Sequence, residues 1–124
     1  MPIHTYKNLI VWQKSIELVS AIYALTQKFP IQEQYGLIAQ MRDAAVSIPS
    51  NIAEGRRRGT LKDYLRFLRY AYGSGAELET QMIIAKKLFP VSADDCVLAD
   101  QLLLEVMKML NAMLKTLKPS PLRS

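Results

Sequence analysis

The stretch "YLRFLRYAYGSGAELETQMIIAKKLF", residues 64–89, decides the fold. Tyr64, Leu68, Ala71, Gly75, Leu78, Met82, Ala85 and Phe89 recur at alternating steps of four and three. That is an unbroken heptad seam, the period at which a long helix keeps one stripe against its neighbours. Thr60 stands where its hydroxyl can cap the first free amides. Asp63 follows in the first turn, where the helix dipole favours a negative charge. Pro90 ends the segment. Gly73 and Gly75 each cost about 1 kcal/mol in a helix interior. Their presence predicts that a neighbouring helix comes close.

Three more helical segments flank this one. Asn8 to Lys28 carries two adjacent apolar stripes: Leu9, Trp12, Ile16, Val19, Tyr23 and Thr26, and beside them Val11, Ser15, Leu18, Ile22, Leu25 and Phe29. Pro30 disfavours helical geometry at Phe29 and breaks the run. A second helix starts near Tyr35 to Leu37 and passes through Ile38, Met41, Ala45 and Ile48. Pro49 lacks an N–H and crowds the carbonyl of Ala45, which predicts a kink or a break there. Ile48, Ile52 and Ala53 are expected to be buried, and Gly55 is the expected C-terminal stop. The fourth helix runs from about Ala93 to Leu117 with Ser92 as its cap. Ala99, Leu103, Val106, Leu110, Met113 and Leu117 form one seam, with Leu98, Leu102, Leu104, Met107, Met109 and Leu114 outside it. Only a narrow polar strip remains: Gln101, Glu105, Lys108, Lys115 and Lys118.

Four helices with short connections predict an all-α chain folded as an antiparallel up-down four-helix bundle. Residues 1–118 form one domain on this reading, and 119–124 a disordered tail. The extra apolar area on the first and fourth helices predicts packing against copies of the same chain, in a closed homo-oligomeric ring.

Bulk properties narrow the function. A length of 124 residues suits one domain. Cys96 is the only cysteine and has no internal disulfide partner, which fits a reducing compartment. "MPIHTYKN" lacks the layout of a signal peptide. No apolar run approaches the roughly 18 residues that span a bilayer. The expectation is a soluble, cytoplasmic protein without a membrane partner.

Chemistry is sparse. His4 is the only histidine, which removes two-histidine metal sites and histidine-dependent helical ribonuclease chemistry. "GRRRGT" has no Gly-Lys-Ser/Thr ending and no preceding strand, so it is no phosphate loop of the nucleoside-triphosphatase kind. Glu77 and Glu79, two apart on a helix, face different ways and cannot act as an acid–base couple. Glu77 is expected to pair with Arg42 or to make another polar contact between helices. The expectation is a protein that is not an enzyme and needs no cofactor.

The net charge is +5, and it is localised. Residues 54–72 hold Arg56, Arg57, Arg58, Lys62, Arg66 and Arg69 against Glu54 and Asp63, a net +4. Arg58, Lys62, Arg66 and Arg69 are spaced to line one face of the third helix for about three turns, roughly 16 Å. Arg56 and Arg57 extend the patch into the loop. The planar arginine fork suits phosphate, and Tyr70 and Tyr72 nearby could stack on a base. The competing reading is a solvated face that keeps an oligomer soluble.

The order "NLIVWQKSIELVSAIYALT", "FPIQEQYGL", "QMRDAAVSIPSNIAEG", "YAYGSGAELETQMIIAKKL" resembles the four-helix-bundle proteins encoded within intervening sequences of bacterial 23S rRNA genes. The resemblance spans residues 5 to 117, and "SIPSNIAEG" with "GSGAELE" at this separation is its most specific part. It implies an antiparallel bundle that assembles as a barrel-shaped homopentamer. A related accessory protein of diversity-generating retroelements is a basic pentamer that engages nucleic acid and a reverse transcriptase, which makes RNA, DNA and such an enzyme the implied partners. It implies no catalytic residue. Asp43 departs from the family pattern, standing where a basic residue is common, and this weakens any phosphate role for the second helix. The leading functional expectation is a non-enzymatic binder of structured RNA or other nucleic acid. The alternative is a protein-interaction scaffold whose arginines are incidental.

Overall fold

The computed structural model describes residues 5–117. Among these residues the chain is all-α, with four long helices and no strand. They are α1 (Ile10–Thr26), α2 (Leu37–Arg57), α3 (Leu61–Leu88) and α4 (Ala93–Thr116), with short 3-10 turns at Tyr6–Asn8 and Ile31–Glu33. His4, Lys118 and the 119–124 tail lie outside the described residues.

Local chemistry sets the ends. Thr60 accepts a hydrogen bond from the N–H of Asp63 at 3.2 Å, and Ser92 one from Asp95 at 3.1 Å, so α3 and α4 both begin on a hydroxyl cap. The carboxylate of Glu33 reaches the N–H of Leu37 at the start of α2. Phe29 and Phe89 each precede a proline and each follow a helix end. Their rings meet at a centroid distance of 5.0 Å, which puts the ends of α1 and α3 together.

The stop of α2 differs from the sequence expectation. The helix runs through Gly55 to Arg57 and turns at Gly59, whose φ of +87° is the left-handed conformation that terminates helices. Gly55 is buried instead at the crossing with α3. A Cβ there would stand 2.7 Å from the Cβ of Phe67. Periodicity marks a glycine but does not say whether it bends the chain or admits a neighbour. α2 stays helical through Pro49, with Ile48 and Ile52 fully buried. Ala53 is only half-buried, on the rim of a groove between α1 and α2.

The four helices form a bundle in which each packs on the next and α4 closes on α1, with α2 and α3 sharing the longest contact. The α3 seam supplies its spine: Tyr64, Leu68, Ala71, Gly75, Leu78, Met82 and Ala85 are all buried. Leu18, Ile22, Met41, Ile48, Ile52, Leu78, Val106 and Leu110 fill the centre. Each such aliphatic side chain contributes about 1.5–3 kcal/mol by leaving water. Of the two α1 stripes only the Val11–Leu25 stripe is fully inside, whereas Ile16 and Tyr23 remain exposed. On α4, Leu98 and Leu104 are more than half exposed. Gly73 faces open space, so only Gly75 of that pair admits a neighbour, the Met107 side chain of α4.

Candidate nucleic-acid interface

The six cations come from two elements. Arg56 and Arg57 lie in the last turn of α2, Arg58 is its C-cap, and only Gly59 separates it from Thr60, the N-cap of α3. Lys62, Arg66 and Arg69 then rise along α3. This corrects the expected geometry: the three arginines are helix end rather than loop, and Arg58 does not belong to the α3 face. Cations in a last helical turn complement the partial negative charge of the free carbonyls, so part of their placement serves α2 itself.

Tertiary packing nonetheless returns Arg58 to the patch. Its guanidinium lies 4.9 Å from the ring centre of Phe67, and that of Arg66 lies 5.0 Å from the same ring. Phe67 thus joins the end of α2 to the first turns of α3 through two cation–π contacts. Tyr70 meets Phe67 edge-on at 5.4 Å and is half exposed, between Arg66 and Arg69 in sequence. Tyr72 turns inward and packs on the core, so of the two tyrosines singled out only Tyr70 offers a ring. Phe67 is uncharged and lies off the buried seam, so charge and periodicity do not single it out. The available signal was its spacing three residues before Tyr70, which places both on one side of α3.

The charges are partly engaged. Arg58 pairs with Glu54 at 3.0 Å and Arg66 with Asp63 at 3.4 Å, both exposed and therefore weak. Arg57 lies 5.5 Å from the ring centre of Tyr6, which brings the N-terminal 3-10 turn to the edge of the patch. Arg56 lies 5.6 Å from that of Tyr64. Lys62 and Arg69 are exposed and make no ion pair among the described residues. Such a surface can hold phosphates by point charge and by planar fork.

Other chemistry-bearing residues lie elsewhere. Arg42 does not meet Glu77. Its Nε donates to the hydroxyl of Thr26 at 2.9 Å, and its guanidinium lies 4.4 Å from the ring centre of Tyr23, while Glu77 faces solvent. Cys96 is buried at the start of α4, and burial pushes its thiol pKa up. Among the described residues no three His, Cys, Asp or Glu side chains group as metal ligands, and no helix is long and apolar enough to cross a membrane.

No curated protein matches the chain. The family model described as "23S rRNA-intervening sequence protein" matches residues 7–112. That range begins in the first 3-10 turn, takes in all six cations and Phe67, and reaches the last turns of α4. With all four helices represented and the basic edge inside the match, the chain belongs to the 23S rRNA-intervening sequence protein family.

Proposed function

We propose that this protein is a non-enzymatic, homo-oligomeric nucleic-acid-binding protein of the cytoplasm, which holds phosphates of structured RNA with Arg56, Arg57, Arg58, Lys62, Arg66 and Arg69. The observation that carries the reading is the concentration of charge. Residues 54–72 hold a net +4 of the chain's +5, at one α2–α3 junction. The family's description, which refers to 23S rRNA, makes RNA the first ligand to test. DNA and a reverse transcriptase are further candidate partners.

The bundle is taken as antiparallel and up-down. The three-residue α2–α3 connection and the meeting of the α1 and α3 ends at Phe29 and Phe89 support that topology. Exposed apolar side chains support assembly with copies of the chain, as a pentameric ring. Ile16 and Val46 lie on the α1–α2 side, Ile83 and Leu104 on the α3–α4 side. Two different patches fit a head-to-tail ring better than a two-fold dimer. A ring repeats the basic edge, and linked weak contacts raise effective concentration.

Filter binding or anisotropy with structured RNA and duplex DNA at two salt concentrations tests the reading. Affinity is expected to fall by about 0.7–0.9 logarithmic units per decade of salt for each phosphate contacted. Arg57→Glu/Arg58→Glu/Arg66→Glu is expected to abolish binding in a folded oligomer. Absence of binding by the wild type at low salt, or equal binding by the variant, overturns it. The second reading, a protein-interaction scaffold, draws on the engagement of Arg58 and Arg66 with Glu54, Asp63 and Phe67. That result would favour it.

A further inference from the structure

We propose that the hollow between the end of α2 and the start of α3 is a built site for a single phosphate group. Gly55, Arg56, Gly59, Thr60, Leu61 and Tyr64 line it, around a volume of about 260 Å³. The site rests on the nucleic-acid reading above for the origin of its phosphate, and on the following observations for its existence.

The hollow lies against the N-terminus of a 28-residue helix. Thr60 satisfies one of the free donors there, its hydroxyl accepting from Asp63, while its carbonyl takes the first regular helix bond, from Tyr64. The N–H groups of Leu61 and Lys62 have no acceptor among the described residues. Free amides and the positive end of the dipole together favour an anion.

Tyr64 supplies an independent second observation. Only 7% of it is exposed, yet its buried hydroxyl has no hydrogen-bond partner among the described residues. A buried hydroxyl without a partner is costly to keep, and Tyr64 lines the same hollow as Leu61, whose amide is unpaired, and Arg56. Burial raises the pKa of Tyr64, and nearby Arg56 opposes the rise without closing a hydrogen bond of good geometry. The phenol is therefore a donor at neutral pH.

Arg56 is the cation of the site. Its half-buried side chain lines the hollow, lies over the Tyr64 ring, and makes no ion pair among the described residues. A phosphate entering the hollow draws the guanidinium onto its oxygens and uncovers the hydroxyl beneath. One phosphate oxygen then accepts from the Leu61 and Lys62 amides, another from Arg56 and Tyr64. Gly59 keeps the mouth open, since it turns the chain at φ +87° and carries no side chain. Asp63, the nearest carboxylate in the first turn, is turned onto Arg66 and does not line the hollow.

The test is amide NMR of the full chain titrated with inorganic phosphate against sodium chloride of equal ionic strength. Saturable shifts of the Leu61 and Lys62 amides are expected, without matching shifts at Ala93 and Asp94, which begin the capped helix α4. Tyr64→Phe keeps the ring and the packing and is expected to weaken phosphate binding about tenfold, as for one hydrogen bond to a charged group. Arg56→Met is expected to remove it. Linear shifts, equal shifts at the start of α4, or wild-type binding by both variants overturn the site. Competition with one short RNA bearing a 5′-phosphate or a 5′-hydroxyl assigns the source. Equal competition means a backbone diester, and competition by the phosphorylated RNA alone means a terminal monoester. Phosphate shifts in a protein that binds no RNA would leave the site standing and overturn the nucleic-acid reading. RNA binding with no phosphate shift would do the reverse.

Discussion

Gly75 of α3 lies directly against the thioether of Met107 on α4, with no room for a methyl group between them. Gly73, two residues earlier on the same helix, faces nothing within 4 Å. Gly55 meets the Phe67 Cβ, which has no freedom to move away. These glycines therefore separate the cost of glycine in a helix from the cost of crowding.

Gly73→Ala is expected to stabilise the protein by about 0.5–1 kcal/mol, the helix-propensity gain alone. Gly55→Ala is expected to destabilise it by about 1–3 kcal/mol through overpacking. Gly75→Ala should fall between, because Met107 is flexible and half-buried and can swing aside. Denaturant unfolding of the three variants checks the order. A Gly55→Ala protein more stable than wild type would place the α2–α3 crossing wrongly.

The hydroxyl caps of α3 and α4 are expected to act independently. Thr60→Ala and Ser92→Ala each remove one side-chain hydrogen bond to a first-turn amide and should each cost about 1 kcal/mol. Hydrogen exchange should quicken at Asp63 in the first variant and at Asp95 in the second, and nowhere else in common. A loss confined to one variant would mean that the other helix start is held by packing alone.

Lys28, just past the end of α1, donates to Asp95 at 2.6 Å in the first turn of α4. This bond, followed by that from Ser92, holds the Asp95 carboxyl below its ordinary value of 3.8. A depressed folded-state pKa means stability that is present above the unfolded value and lost as pH falls through the folded one. Asp95→Asn should therefore be less stable than wild type at pH 7, with the gap closing as pH drops below 3.8. Because the pair is exposed, added salt should also narrow the gap at neutral pH. Urea unfolding of both proteins across pH 2–7 measures it, and a pH-independent gap would remove the ionic account.

Ser47 and Ser74 bring their hydroxyls to 2.8 Å across the α2–α3 contact, and Asn51 adds a bond to the Ser47 oxygen at 2.9 Å. A double-mutant cycle with Ser47→Ala and Ser74→Ala is expected to give a coupling of about 0.5–1.5 kcal/mol. Ser74→Ala alone should cost less than Ser47→Ala, since it leaves the Asn51–Ser47 bond intact. Additive single losses would mean that water, not the facing serine, partners each hydroxyl.

The sequence by itself determined the helices, because their signals are local. The 4-3 recurrence from Tyr64 to Phe89, the hydroxyls at Thr60 and Ser92, and the prolines after Phe29 and Phe89 act within a turn or two of the backbone they set. It also located the charge, since a net +4 within residues 54–72 needs no coordinates. What side chains do at a distance was decided by packing. Gly55 reads as a stop, but it lies where α3 crosses, and the turn falls to Gly59. Arg58 reads as the start of an α3 face, yet it ends α2 and rejoins Arg66 only through Phe67. Glu77 reads as a partner for Arg42, which instead closes on Thr26 and Tyr23. The unpaired Tyr64 hydroxyl could not be read at all, because its place on the buried seam is periodic but its neighbours are set by how two helices meet. Periodicity fixes which side of a helix is covered, and the crossing of helices fixes by what.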